Sequence, residues 1–531
     1  MPDRNDPAYL AWSLKEGRLT RRQLLRRLGA LGVGLPAAGA LLAACGGAGG
    51  SGSGGSTSKQ KISLGIQQEP TSTDIVGDAN ASIGALLRDN VFEGLVRIDA
   101  DGNVVPQLAS SWDVSSDGTQ YTFRLRPNAK WHDGSAFTAQ DVKYSWQRAM
   151  DPSATPPNPY PEYWAPVQSI DVVDPTTVKV TLKQYSFNFL FHMTAAAASI
   201  VSQAAIGSIA SRPVGTGPYK FGAWNRGSDL TLVRNDAYWG PKAKLRQVDF
   251  KFITDPNAMN NALTAGDIDV ISQVNGPEQL TSFSSESQFK VLKGAPYGKL
   301  IVTMNNTSPV LKDVRVRQAI SAVIDRAAWV KGVYSGYGVP IGSHAAPNKG
   351  EPYYIDLTSM NPHDPQKAKQ LLSAAGQPNL SVRLAVLTDH TYASRGAQIL
   401  ISALKDVGVT AQVQDVQFAQ WLAQVFGGPQ DFDLTIIDHV EERDIFNYGN
   451  PKYYWHYDNP QVTSWLTQAD ATVAESERNG IYAKVQRQLA TDAANGFVMS
   501  LNALAVASSS VKGYAIPGVS PSIFLRDVTV S

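Results

Sequence analysis

Along the body of the chain the spacing of apolar and polar residues switches repeatedly between a period of two and a helical period. Lys61-Ile62-Ser63-Leu64-Gly65-Ile66 alternates and predicts a strand, whereas residues 67–80, with Pro70 and Gly77, predict an irregular polar loop. Residues 94–105 predict a hairpin turning at Asp101-Gly102, residues 112–126 a second at Asp117-Gly118, and residues 172–182 a third through Asp174-Pro175. Between them, Thr138-Ala139-Gln140-Asp141 reads as a helix cap, and Val142, Trp146 and Ala149 recur on one helical face. In the second half, residues 313–324 predict a helix burying Ile320, Val323 and Ile324. A strand at 381–387, a helix near 397–407 and a strand at 434–437 follow, an alternation that favours some parallel pairing. No repeat of fixed period is visible, which argues against solenoids and propellers. Mixed α/β structure follows from these patterns alone.

The first 58 residues obey a different pattern. Arg21 and Arg22 precede an uncharged, Gly- and Ala-rich run from Leu28 to Ala44, too short and too weakly apolar for a comfortable bilayer span. It reads as an export signal over residues 1–44. Leu42-Ala43-Ala44-Cys45 resembles the bacterial lipobox, which implies that Cys45 becomes the lipidated first residue of the exported protein. The paired arginines resemble the twin-arginine export signal, but Leu24-Leu25 stands where that pattern prefers Phe-Leu, so the Sec route stays open. Residues 45–58 are almost all Gly and Ser, a flexible tether reaching about 20 Å. Gly47, Gly49 and Gly52 match G-x-G-x-x-G there, but without a strand before or a helix after, so a dinucleotide site is not read from them.

Composition narrows the picture further. Without the signal about 490 residues remain, more than one hydrophobic core organises, so two or more lobes are expected. A net charge of +1 with 18% charged residues and no long single-sign runs gives no footprint for nucleic acid. Cys45 is the single cysteine, so no disulfide is available and stability must come from the core. The stretch 190–206 is interrupted by His192, Ser202 and Gln203, leaving lipid as the expected membrane contact.

A series of motifs carries a family resemblance. Glu93-Gly94-Leu95-Val96, Pro106-Gln107-Leu108-Ala109-Ser110-Ser111-Trp112, Asp117-Gly118-Thr119-Gln120-Tyr121-Thr122-Phe123-Arg124-Leu125-Arg126, Trp131-His132-Asp133-Gly134 and Thr138-Ala139-Gln140-Asp141-Val142 are similar, in order and spacing, to family 5 extracytoplasmic solute-binding proteins. Gly215-Thr216-Gly217-Pro218-Tyr219-Lys220, Asn235-Asp236-Ala237-Tyr238-Trp239-Gly240 and Val314-Arg315-Val316-Arg317-Gln318-Ala319 extend the match. The resemblance implies an α/β, two-lobed, periplasmic-binding-protein-like (type II) fold with mixed sheets and a hinge of two crossing segments, placed near residues 297–304 and 497–502. Lobe I would be discontinuous (59–297 and 503–531) and lobe II would span 298–502. Most matching residues, Trp112, Trp131, Tyr219 and Trp239 among them, read as scaffold.

Loops at strand ends collect ligands in α/β lobes. Directly after the apolar strand 434–437 come Asp438, His439, Glu441, Glu442 and Asp444 with Arg443 among them, acids that suit an amine or equally form a solvated loop with its own counter-ion. In peptide-binding relatives an Asp near here meets the ligand's α-ammonium, usually within Asp-x-x-Asp-Pro-x-x-Phe. This chain lacks the proline, and alignment on Phe446 leaves His439, Glu442 and Asp444 competing for the acidic positions. The segment 453–457 reads mostly as packing. His390, with Tyr392 beside it, is the analogue of the basic residue that meets a ligand carboxylate, and Asp78 and Asn80 are first-lobe contacts by the same resemblance.

Seven histidines are scattered without His-Glu-x-x-His, His439-x-Glu441 with distant His456 is a weak metal pattern, and neither G-x-S-x-G, a P-loop nor a cysteine nucleophile occurs. No enzyme, metal or cofactor is expected. The reading is an extracytoplasmic lipoprotein, monomeric and held at the cell membrane through Cys45, that delivers short peptides to an ABC permease and its ATPase subunits. A non-peptide solute (oligosaccharide, opine or metal chelate) is the alternative, and a secreted enzyme on the same scaffold a further one.

Overall fold

The computed structural model describes residues 59–531 except 79, 100, 101, 275, 442 and 517–521; the export segment, Cys45 and the tether lie outside the described residues. An eleven-stranded mixed sheet organises the body. Its first half runs from Tyr219–Asn225 through Asp229–Arg234 and Gln247–Phe252 to Lys61–Ile66 and Val270–Ile271. Lys61–Ile66 is parallel to both of its neighbours and buries Ile62, Leu64 and Ile66. The three predicted hairpins are present: Val96–Ile98 pairs with Val104–Pro106, and Ala109–Val114, Gln120–Leu125, Thr177–Leu182 and Val167–Asp174 form a separate four-stranded antiparallel sheet. The helix Ala139–Met150 starts with the expected capping box at Thr138 and Asp141 and buries Val142, Trp146 and Ala149. Trp146 meets Phe123 and Phe189 edge-on, at 6.2 and 6.4 Å between ring centroids.

Two long antiparallel strands, Phe289–Met304 and Gly496–Ser508, lie side by side in the middle of the sheet and join its halves. Beyond them Leu434–His439 pairs antiparallel with Phe289–Met304 and parallel with Ser381–Leu387, which in turn is parallel to Thr410–Val416. The predicted helix begins earlier than the pattern indicated, at Thr391, and runs to Asp406. Its Gly396 lets it pack on the helix Arg326–Tyr334, because a Cβ there would sit 2.5 Å from the Trp329 ring. The buried apolar residues fall into two clusters, one centred on the first-half strands and the other on the long strands and the second half.

The motif series is bound together by one buried acid. Glu93 accepts from Thr216 Oγ1 at 2.9 Å, Tyr238 Oη at 2.7 Å and Trp239 Nε1 at 3.0 Å, gathering three separated motifs on one carboxyl that burial pushes up to about 7. Gly215 and Gly217 lie against backbone: a Cβ would stand 1.9 Å from Val91 O and 2.3 Å from Asn90 O respectively. These motif residues are bound to one another within the scaffold.

Candidate functional site

The strand Leu434–His439 is longer than its apolar run, ending at His439 rather than Ile437, because Asp438 and His439 register against Leu300 and Lys299. Asp438 and His439 are therefore strand residues, not loop residues, and the pleat sends them to opposite faces of the sheet. On the His439 side, Lys299 Nζ lies 2.8 Å from Asp444 Oδ1 and 2.9 Å from Glu351 Oε1, and donates to the Glu441 carbonyl at 2.7 Å. Asp444 Oδ2 is 2.9 Å from His344 Nε2 and 3.2 Å from His439 Nδ1. Tyr448 and Tyr454 hold the other ring nitrogens of His344 and His439, at 3.2 and 2.8 Å.

Burial opposes the charge on Lys299, but Asp444 and Glu351 more than offset it and raise its pKa. The same burial would lift Asp444, yet His344 and Lys299 hold it well below the carboxylate range. Burial takes His344 down to about 4, leaving it neutral. Asp444 is thus engaged inside the protein. His344, His439 and Asp444 do bring donor atoms within 4.8 Å of one another, but the Lys299 ammonium already supplies the positive charge a metal ion would bring.

Asp438 sits on the other face, over Gly298, where a Cβ would be 2.4 Å from its Oδ1. That oxygen is buried with no hydrogen-bond partner, and burial pushes the carboxyl up to about 7. Tyr392, in the first turn of its helix rather than in the preceding loop, packs toward Asp438. His390 is paired with Asp389 at 2.9 Å and faces Phe418 and Tyr392.

A pocket enclosing about 110 Å³ brings together three residues singled out from sequence: Asp78, Asn80 and Glu441. The loop around Asp78 and the helix Ala81–Leu87 form one wall, Tyr160 and Tyr163 a second, Phe191–Ala197 a third, and Val440 with Glu441 close it from the second half of the chain. Asp78 accepts from Thr71, Ser72 and the Asn80 amide, and Asn80 caps the helix at Ser82. Burial, with Glu441, Glu162 and Asp78 adding to it, pushes the Tyr160 hydroxyl up. His192 lines the same pocket, its ring stacked on Tyr163 at 4.1 Å. Arg88, buried beneath, is bound to the carbonyls of Ala195 and Val96.

Arg443, in the left-handed region at φ 58°, turns the chain between Glu441 and Asp444. Its guanidinium stacks over Phe191 at 3.7 Å and Phe187 at 4.4 Å and donates to the Gly350 carbonyl at 2.8 Å. Glu442 lies outside the described residues. The pocket thus joins Asp78, Asn80 and Glu441, and leaves Asp438, Asp444, His390 and Tyr392 outside its lining. Sequence reasoning missed Lys299, Glu351, His344, Tyr160, Tyr163 and His192. Only Lys299 carried a signal, as a lysine leading the apolar strand run Leu300-Ile301-Val302.

Comparison with known proteins agrees with this architecture. The family of bacterial extracellular solute-binding proteins, family 5 Middle, matches residues 103–444. Glutathione-binding protein GsiB of Pectobacterium atrosepticum is 28% identical over 466 residues, covering 83% of this chain and 88% of the relative. GsiB of Escherichia coli is 29% identical over 432 residues, covering 77% and 83%. Among solved structures, the binding protein AgaA of A. tumefaciens R10 in complex with agropinic acid superposes with a TM-score of 0.80 at 27% identity, over 89% of this chain and 99% of that one. DppA of Helicobacter pylori in complex with the peptide STSA gives 0.79 at 24% identity, over 89% and 98%. These relatives are binding proteins, not enzymes, and share the two-lobed type II fold. The chain belongs to the family 5 bacterial extracellular solute-binding proteins, the substrate-binding components of ABC importers.

Proposed function

We propose that the solute is a short peptide or peptide-like amine, captured in the pocket between Asp78 and Glu441 and passed to an ABC permease. The observation that carries this reading is the pocket's charge. Among the described residues neither Asp78 nor Glu441 pairs with a lysine or arginine, and the rest of the lining is mostly apolar and aromatic, with Asn80, His192, Thr194 and Ser522 as polar groups and Arg88 held to the Ala195 and Val96 carbonyls. A cation enclosed by such a cleft gains charge-assisted hydrogen bonds that solvent cannot match. The glutathione-binding relatives, whose ligand is itself a small peptide with one ammonium group, support it. Closure follows from the ligand touching both halves, since only contacts absent from the open form favour the closed one.

The agropinic acid complex of AgaA favours a second reading, an opine. Titration calorimetry with glutathione, di- and tripeptides and agropinic acid separates the two. Binding of a peptide, weakened about five- to tenfold by Glu441→Gln or Asp78→Asn without loss of folding, supports the peptide reading. Affinity for agropinic acid alone would replace it. We also assign lobe I to 59–297 and 503–531 and lobe II to 298–502, with Cys45 as lipid anchor after removal of residues 1–44. Mass spectrometry of the mature N-terminus tests the anchor, which a non-acylated Cys45 would overturn.

A further inference from the structure

The chain between the strand Thr177–Leu182 and the short helix Phe189–His192 belongs to the first half, yet the hydrogen-bond donors of Phe187 and Asn188 point into the second. The helix Pro460–Ala471 leaves its last carbonyls without partners inside the helix, and the Phe187 amide donates to the Asp470 carbonyl at 2.8 Å. The Asp470 carboxylate accepts from the Asn188 amide at 3.0 Å and from Asn188 Nδ2 at 2.8 Å, and Nδ2 also reaches Tyr482 Oη at 3.3 Å. Arg443 donates to Asn188 Oδ1 at 3.3 Å. The side-chain hydrogen bonds of Asn188 thus all cross between the halves, at a residue only 5% exposed. Apolar contacts are exchanged there too. Phe187 packs on the cluster of the long strands and second half, with the Arg478 guanidinium 3.8 Å over its ring, while Phe446 of the second half packs on the first-half cluster. This junction flanks the pocket: Phe191 and His192 follow Asn188 and line one side, and Val440 and Glu441 precede Arg443 and line the other.

We propose that Asn188 and Asp470 are positioning residues for solute capture, forming a clasp that lets go when the halves separate and re-forms when they close. Neither residue lines the pocket, so the clasp adds to the free energy of closure without touching the solute. Apparent affinity scales with the population of the binding-competent form, so loss of the clasp weakens every solute by one common factor. A residue that touched the solute would weaken different solutes by different factors. The inference holds whichever solute the pocket takes.

The Phe187 amide is a clean reporter, because it bonds a main-chain carbonyl that no substitution at Asp470 removes. Hydrogen exchange at this amide, small-angle scattering, and calorimetry with reduced glutathione and trialanine compare the wild type with Asn188→Ala, Asp470→Ala and Asp470→Asn. Both alanine variants should speed Phe187 exchange, enlarge the radius of gyration and weaken both probes by the same factor, about tenfold. Asp470→Asn keeps an accepting oxygen and should stay within about threefold of wild type. The double alanine variant should lose no more than either single one, since both remove the same contact. Exchange and radius of gyration matching wild type in both alanine variants would overturn the clasp, and so would faster exchange at an unchanged radius, which is local fraying. If neither probe binds the wild type, the peptide reading falls and exchange with scattering still decides the clasp. If the alanine variants do not fold, urea dependence in the wild type decides: Phe187 should exchange well below the unfolding transition, and exchange only through global unfolding sinks the proposal.

Discussion

Replacing Lys299 by methionine removes a charge and little volume, so it isolates what the ammonium does in the buried cluster. In the wild type Lys299, Glu351 and Asp444 have side chains 0%, 1% and 2% exposed, and the ammonium sits within 2.9 Å of both carboxylates. Without it Asp444 retains His344 and His439, and Glu351 retains the amides of Ala346 and Arg443, but no cation neutralises the two negative charges at contact distance. Breaking a buried pair in this way costs about 3–5 kcal/mol. The variant's carboxylates would then titrate above their unfolded values, so the folded state takes up protons and the lost stability returns as the pH falls. Urea denaturation followed by tryptophan fluorescence should show a deficit of about 3–5 kcal/mol at pH 7.5 and a smaller one at pH 5.5. Adding Asp444→Asn to Lys299→Met should recover part of the deficit, because it removes one stranded charge. A Lys299→Met protein within about 1 kcal/mol of wild type at both pH values would refute the assignment of Lys299 as counter-ion.

Asp438 and Glu93, each pushed up to about 7 by burial, contribute stability that is complete below their unfolded pKa and is lost as the pH rises through 7. Asp438→Asn and Glu93→Gln should each flatten the fall in stability between pH 5 and 8, with roughly 3 kcal/mol at stake per group, and a slope unchanged in both would remove the explanation. Gly215→Ala drives a methyl into the Val91 carbonyl and should destabilise by about 2 kcal/mol or more, whereas Gly207→Ala, with nothing within 4 Å, should stay within about 0.5 kcal/mol; equal denaturation midpoints would contradict the close approach. Dialysis against a chelator should leave the denaturation midpoint unmoved, since Lys299 already provides the positive charge beside His344, His439 and Asp444; a drop would show a metal there instead.

The strands, hairpins and capping box were readable because each is encoded locally: a period of two, an Asp-Gly turn, a Thr with Asp three residues on. The limits of the Leu434–His439 strand were not, because pairing with Lys299 and Leu300, not side-chain hydrophobicity, extends it through Asp438 and His439. The same extension decides the site. A run of acids looked like one loop facing one ligand, but the pleat separates Asp438 from His439, and Asp444 is drawn inward by a lysine 145 positions earlier in the chain. Glu441 and Asp78 meet in one pocket only through the tertiary fold, and the aromatic wall of Tyr163 and His192 gave no local signal. Resemblance to the family supplied the architecture; it could not supply the long-range pairings.

The two long strands between the halves are paired imperfectly. Their register shifts between Lys293 and Pro296, between Pro296 and Gly298, and again between Leu300 and Ile301. A continuous ladder resists bending along its whole length, whereas each irregularity interrupts the hydrogen bonds that would resist it and kinks the strand locally. Along this strand pair the ladder resists bending least over a segment of some nine residues, with the strands bonded on either side of it. Lys299 lies within that segment, between the second and third interruptions. The stretch of backbone least able to resist bending is thus the one that carries the ammonium of the ion cluster, so the curvature of the ribbon and the geometry of the Lys299 contacts are coupled.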